Sequence, residues 1–274
     1  MQKNKNLLER IVNGFADLSP NARKIAGYIQ QHPYSVLSMS MAELAGATNT
    51  SKATVSRFFK QLGYESHHQA RHDLVSSRDK GFPVSSSIDN EKAHLNNELN
   101  NIQQTLNDIP KERLVEIGVK IAAAERIFIV GFRNSYPMAM HFRQQLMQIR
   151  KNVVLLPQPG QSLGEDLVDV DASDLIILIG FRRRPSHFEQ LIKSLIHQNV
   201  VLIADPTGQI FNSDVEHLLI CHVGGKDSFD SYSAPMSLIA TLCNKAYQEI
   251  SANAAMRAAN ISAWYAENNE ISKL

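Results

Sequence analysis

Apolar residues recur at helical steps from the start of the chain. Leu7, Leu8, Ile11, Val12, Phe15 and Leu18 mark one helix, Ser19-Pro20 closes it and opens another, and Ile25, Ala26 and Ile29 carry that one to His32-Pro33. The stretch Met41 to Gly63 then holds two short helices joined by the polar turn Ala47-Thr48-Asn49-Thr50. Leu44 and Ala45 fall on the inner face of the first, and Ser51 is placed to cap the second, which runs to about Leu62. Val55, Phe58, Phe59 and Leu62 pack that second helix back, with small Ala45 at the close crossing. This pattern predicts a helix-turn-helix covered by the two helices before it.

After one more helix around YESHHQARHDLV, the run Ser76 to Asn90 is rich in Ser, Gly and Pro and has no periodicity. Leu95, Leu99, Ile102, Leu106 and Ile109 then follow at steps of four and three, a seam a little over two heptads long. Such a seam suits either an amphipathic helix docked on its own domain or a dimer contact. Pro110 ends it, and Leu114 to Ala124 reads as a helix.

From Arg126 the pattern changes to short, continuous apolar runs. Ile127–Val130, Val153–Leu156, Leu175–Ile179, Val200–Ala204 and Leu218–Cys221 read as strands; helices are expected at Ser135–Ile149, Pro185–Gln198 and Tyr232–Ile250. Unbroken apolar strands joined by helices imply a parallel sheet covered on both faces. The fold class expected is α plus α/β: an all-α helix-turn-helix domain over residues 1–78, a linker over 79–90, and a doubly wound parallel-sheet domain over 91–274. The final stretch is open between a packed helix through Ile261, Trp264 and Tyr265 and a frayed end.

Composition changes this picture only at the edges. With 274 residues, 43% hydrophobic and 20% charged, there is material for two cores. Two cysteines, Cys221 and Cys243, make no disulfide framework and no zinc spacing, which fits a reducing cytoplasm. No apolar run is long enough for a membrane span and the N-terminus has no signal-peptide core, so no membrane partner is expected. The net charge of +1 is unevenly divided: residues 1 to 80 hold 11 Lys and Arg against 6 Asp and Glu, and residues 81 to 274 hold 17 against 21. The basic excess sits with the helix-turn-helix, as expected if that part approaches phosphates.

The candidate chemistry falls in two places. On the second helix of the motif, Ser51, Lys52, Ala53, Thr54, Ser56, Arg57 and Lys60 face away from the apolar stripe. Hydroxyls and cations there can donate to phosphates and base edges, and Ala53 can lie against a thymine methyl, so double-stranded DNA is the expected partner. His68 and His72 lie one helical turn apart, but nothing completes a ligand set, and no metal is expected.

In the α/β part, two strand-to-helix turns share a wording, IVGFRNS at Ile129 to Ser135 and LIGFRRRPS at Leu178 to Ser186. Ligands of such sheets bind where strands end and helices begin. Gly131, Arg133, Asn134, Ser135, Gly180, Arg182, Arg183, Arg184 and Ser186 are therefore the candidate site for a small anion. Neither turn reads Gly-x-Gly-x-x-Gly, which argues against a dinucleotide, and no cofactor is expected.

The combination of ELAGATNTSKATVSRFFKQLGY, a linker and an α/β domain opening IFIVGFRNS resembles the RpiR-type bacterial transcription regulators, over roughly residues 5 to 250. The resemblance implies a SIS (sugar isomerase) fold in the second domain, a homodimer or homotetramer, and control of sugar catabolism through a phosphorylated sugar. The family's first loop usually reads Gly-x-Gly-x-Ser; here Gly131 and Ser135 align, and Arg133 or Asn134 replaces the second glycine. Its second loop is usually rich in hydroxyls, where this chain has arginines, which suits a phosphosugar or a carboxylate.

A ligand-responsive regulator without catalytic residues is the expectation. The alternative is a sugar-phosphate isomerase-like enzyme with an accessory helical domain. Such an enzyme needs an acid/base residue, and His222, Asp227 and Asp230 are the groups after the fifth strand.

Overall fold

The computed structural model describes residues 6–32, 35–79, 91–224 and 229–272. These form two compact units that divide within one helix, between Asn97 and Glu98. The expected linker lies outside the described residues from position 80 onward; before it, the helix continues to Asp79 rather than ending near Ser76.

The first unit is all helical: α1 (Leu7–Gly14), α2 (Pro20–Gln31), the single turn α3 (Ser35–Ser38), α4 (Met41–Ala47), α5 (Lys52–Gln61) and α6 (His67–Asp79). Sequence-local bonds set each helix end. Asn6 with Glu9, and Ser40 with Glu43, form reciprocal capping boxes at α1 and α4. Ser19 caps α2 just ahead of Pro20, as the pattern predicted. One core of Leu7, Ile11, Ile25, Ile29, Leu44, Val55, Phe58, Phe59 and Leu74 holds the helices together.

The helix α7 (Glu91–Asp108) follows, then α8 (Lys111–Ala123). Only the C-terminal part of the α7 seam docks on a core. Ile109, just beyond the helix, is buried and Leu106 packs against the same cluster, whereas Leu95 and Leu99 remain 56% and 50% exposed.

The second unit is built on five parallel strands: β1 (Ile127–Gly131), β2 (Val153–Leu156), β3 (Leu175–Gly180), β4 (Val200–Ala204) and β5 (His217–Ile220). Their order across the sheet is β2-β1-β3-β4-β5. The intervening helices are α9 (Ser135–Ile149), α10 (Gly164–Leu167), α11 (Phe188–Ser194) and α12 (Ser233–Glu249), with α13 (Ser251–Asn268) at the end.

Alternate residues of each strand feed two separate cores. Ile127 and Ile129 of β1 join α8, α9 and α12 on one face, while Phe128 and Val130 join α11 and the 3-10 turn Pro206–Phe211 on the other. This is the doubly wound arrangement expected, and it explains why the strands are apolar throughout. At the strand N-termini, Arg126 grips buried Asp174 through Nε at 3.0 Å and Nη2 at 2.6 Å, tying the start of β1 to that of β3. Arg150 turns its guanidinium onto the last carbonyls around α8, including Ala124 at 2.7 Å.

Candidate DNA-binding helix and strand-end anion site

The turn between α4 and α5 is made by backbone geometry that the sequence supports residue by residue. Asn49 takes a left-handed conformation, φ 49°, just past the end of α4. Its N–H donates to Gly46 O at 3.2 Å and the next, of Thr50, to Ala45 O at 2.9 Å. These two bonds close a Schellman motif, and asparagine is the residue after glycine that best tolerates its left-handed position. Ser51 Oγ then accepts the Thr54 N–H at 3.1 Å and begins α5 within two residues of the turn. Gly63, φ 86°, repeats the same terminator after α5, with Tyr64 N–H donating to Phe59 O.

Val55, Phe58 and Phe59 are buried on the inner side of α5. Ser51, Lys52, Ala53, Arg57 and Lys60 are exposed and Ser56 is half-buried, so one outer face carries two lysines, an arginine and a methyl group. Arg57 lies back along its own helix, with Nε 3.4 Å from Ala53 O, a contact weak enough for the side chain to leave. Thr54 differs from the expectation: its hydroxyl pairs with Ser51 Oγ at 2.8 Å, so it serves the helix start as well as the outer face. His68 and His72 are exposed on α6. Tyr64, held to Asp73 at 2.6 Å beneath the Arg10 guanidinium, anchors α6; burial and the Asp73 carboxylate push its phenol well above the ordinary range.

In the second unit the two Gly-Phe-Arg turns leave β1 and β3, which are neighbours in the sheet although α9, β2 and α10 separate them in sequence. That is the place where the strand order reverses, the crevice in which open α/β sheets bind ligands. The two turns are joined there: Ser135 Oγ accepts the Phe181 N–H at 3.4 Å, and Phe181 packs edge-on against Tyr232 at the entry to α12.

The candidate residues divide by use. Arg133 and Arg183 are exposed, and both take left-handed backbone conformations, φ 54° and 64°. Asn134 and Ser186 are exposed and Arg182 is half-buried.

Four of the expected ligand residues also make contacts within the scaffold. Ser135 is turned inward, 6% exposed, by its bond to Phe181. Gly131 is buried because a Cβ there would come within 2.6 Å of Ser135 O and 2.9 Å of the Ala139 Cβ; its missing side chain lets α9 approach β1. At Gly180 a Cβ would meet the Phe188 ring at 2.3 Å. Arg184 turns its guanidinium into the fold, with one hydrogen bond from each nitrogen: Nε donates to Gly180 O at 2.9 Å, Nη1 to Thr207 Oγ1 at 2.9 Å and Nη2 to Asp205 Oδ1 at 2.6 Å. Burial lowers its pKa, partly offset by Asp205, and the group stands over the rings of Phe188 and Phe211.

The helix-terminus argument for an anion also needs correction. The N–H groups of Ser135 and Tyr136 donate to Phe132 O and Arg133 O, and Pro137 has none, so few amides at the start of α9 face outward. The second helix begins at Phe188, not Pro185, and has seven residues. Arg133 and Arg183 add exposed side-chain charge at these turns.

Beyond β5, His222 is held by α7: its N–H donates to buried Thr105 Oγ1 at 2.8 Å, and Nε2 lies 2.7 Å from Asp108 Oδ2. Asp227 lies outside the described residues. Among the described residues no three His, Cys, Asp or Glu are grouped to hold a metal ion, and no helix is long and apolar enough to cross a membrane.

Comparison with known proteins agrees with both units. Residues 5–79 match the helix-turn-helix domain of the rpiR family, and residues 120–245 match the SIS domain. The chain thus carries a helix-turn-helix domain of the rpiR type and, after it, a SIS domain. Over 180 residues it is 26% identical to an HTH-type transcriptional regulator of Providencia stuartii, spanning 62% of this chain and 64% of that protein. Over 77 residues it is 35% identical to the HTH-type transcriptional regulator HexR of Pseudomonas aeruginosa, covering 28% and 27% of the two. The chain thus matches less than two thirds of the length of these relatives. In structure, the NanR protein of Vibrio vulnificus, solved in complex with ManNAc-6P, superposes with a TM-score of 0.58 over 96% of this chain and 98% of that one; at 18% identity this is a likeness of fold.

Proposed function

We propose that this chain is a ligand-responsive transcription regulator of the RpiR type that binds operator DNA through α5 and an anionic metabolite at the β1/β3 strand ends. The observation that carries the DNA half is the outer face of α5, where Lys52, Ala53, Arg57 and Lys60 stand exposed on a helix whose start is fixed by the Schellman turn and the Ser51 cap. For the metabolite half it is the pair of left-handed, exposed arginines, Arg133 and Arg183, at the switch point of the sheet. Non-glycine residues in that conformation cost roughly 1–3 kcal/mol each, and such strain tends to persist where a side chain is being aimed.

The ligand class is a phosphosugar or a sugar carboxylate. The NanR complex with ManNAc-6P supports the first; exposed arginines grip a carboxylate as readily as a phosphate, which supports the second. The active form is a homodimer or homotetramer in the cytoplasm. Ligand would act by population shift, favouring one spacing of two recognition helices over another; half-sites lie about 34 Å apart, so a small rotation changes the fit.

Genome-wide capture of bound DNA in the native cell, with Arg57→Ala as the control, tests the regulator. Enrichment at a few palindromic sites that the variant loses supports it; no site-specific enrichment in several growth media sinks it. The competing reading, a sugar-phosphate isomerase, draws on the His222 and Asp108 pair beside β5, which has acid/base chemistry. Turnover of aldose and ketose phosphates by the purified chain would favour that reading instead.

A further inference from the structure

The helix α13 lies beyond the segment that matches the SIS domain, and its surface is unusual for a terminal helix. Of its eighteen residues only Ala254 is buried, while Arg257, Ile261 and Tyr265, following at helical steps, are half-covered by α9. The rest of the helix is exposed, yet it is not a polar face. Trp264 is 59% exposed and Met256 62%, and the two line one cleft with Asn253 and Asn260. On the neighbouring α9, Met140 is 51% exposed and continues the same stripe through Arg143 and Met147. Between the two helices runs an open cleft of about 500 Å³.

Tryptophan, methionine and arginine are the residues enriched at the centres of protein interfaces, and a contiguous exposed patch of them calls for a partner. The indole is already fixed: Nε1 donates to Glu270 Oε1 at 3.0 Å, so the ring is held before any partner arrives. Arg257 is pinned likewise, with Nε donating to Met147 O at 2.8 Å.

We infer that a second copy of this chain covers the α9/α13 face in solution, with Trp264 at its centre. Charge selects this occupant. Arg143 and Arg257 are balanced by Glu267 and Glu270, so two identical faces meet without repulsion, whereas a nucleic acid or a strongly charged protein finds no single-sign field. Gln144, Gln148, Asn253 and Asn260 flank the apolar stripe, and amides both donate and accept, so they pair with their own kind across a two-fold axis. The size also fits. Eighteen helical residues span about 27 Å, and two helices side by side offer a face on the scale of the ~800 Å² per partner that stable interfaces use. The inference names the face for the homo-oligomer in the proposed function and rests on that part of it; DNA and metabolite binding are tested separately.

Trp264 is the only tryptophan in the chain, so its fluorescence reports this face alone. The full chain is followed by sedimentation velocity and by intrinsic fluorescence over a dilution series from about 50 to 0.05 μM, with Met256→Glu as the disrupting variant and Val168→Glu, at a position 75% exposed just after α10, as the control. The expected result is an oligomer whose emission shifts to the red as it dissociates, a Met256→Glu protein of half the mass with red-shifted emission at every concentration, and an unchanged Val168→Glu protein. Unchanged far-UV circular dichroism shows that the variants are folded; if Met256→Glu fails this check, Asn260→Glu, which lines the same cleft, replaces it. A wild-type monomer throughout would overturn both the homo-oligomer and the face. An oligomer whose mass and emission ignore Met256→Glu would overturn the face alone. Emission that shifts only when a different protein is added would assign the cleft to another partner and equally overturn the inference.

Discussion

The Arg184 guanidinium lies 2.6 Å from the Asp205 carboxylate, both side chains nearly buried, and this pair joins the turn after β3 to the turn after β4. Thr207 donates to the same carboxylate at 2.9 Å, so Asp205 is satisfied only while Arg184 and Thr207 both hold it. The pair fixes the base of the arginine-rich loop and leaves Arg183 pointing outward.

Replacing Arg184 with Met should therefore unfold the second unit more easily. A buried carboxylate stripped of its cation costs about 3 kcal/mol or more, and Arg184→Met/Asp205→Leu should lose much less than the sum of the single changes. Urea unfolding of the four proteins measures the coupling, and additive losses would show that the two residues do not act as a pair.

Arg183 should behave in the opposite sense. Glycine adopts the left-handed backbone freely but loses more conformational freedom on folding, which offsets part of the relieved strain, so Arg183→Gly is expected to raise stability by up to ~1 kcal/mol. The same change should weaken anion binding at least tenfold, read by calorimetry with a panel of sugar phosphates and sugar acids. Retained affinity in Arg183→Gly and Arg133→Gly together would remove the arginines from the ligand site.

The Arg126 and Asp174 pair predicts a dependence on acid. Its bonds to Arg126 hold the Asp174 carboxyl below the ordinary carboxylate range. A depressed folded value means that the pair's contribution is complete above the ordinary carboxylate pKa and is lost as the pH falls through the folded one. Stability of the wild type should drop more steeply with acidification below about pH 4 than that of Asp174→Asn. Parallel curves from thermal melts between pH 6 and pH 3 would argue against the assignment.

On α5, Lys52 and Lys60 are expected to meet phosphates and Arg57 a base edge or a phosphate. Each lysine changed to Ala should lower the slope of log affinity against log salt by about 0.9 while weakening all sequences alike. Arg57→Ala should cost ~1–3 kcal/mol on the operator and relax specificity if it reads a guanine. Binding titrations at three salt concentrations, on operator and random duplex, separate the two roles.

The periodicity of Leu44, Val55, Phe58 and Phe59, the Ser51 cap and the apolar runs of the strands were enough to read a helix-turn-helix followed by a doubly wound sheet, because helix starts, turns and faces are set by bonds between residues close in sequence. The two Gly-Phe-Arg turns were legible too, but not what each residue in them does. Ser135 meets Phe181 across 46 positions and Arg184 meets Asp205 across 21, and nothing in the local wording distinguishes an arginine committed to a buried carboxylate from one left in solvent. The start of α11 moved for the same reason: the Phe188 ring must fill the space over Gly180, which holds the turn open through Pro185 to His187.

By itself, then, the sequence determined the helix-turn-helix, the five strands, the longer helices before and between them and the outer face of α5, all of which follow from local periodicity and capping. The adjacency of β1 and β3, the commitment of Arg184 to Asp205 while Arg133 and Arg183 stay exposed, and the uncovered Trp264 face were decided only by tertiary structure, because burial and charge pairing depend on which distant side chains the fold brings together.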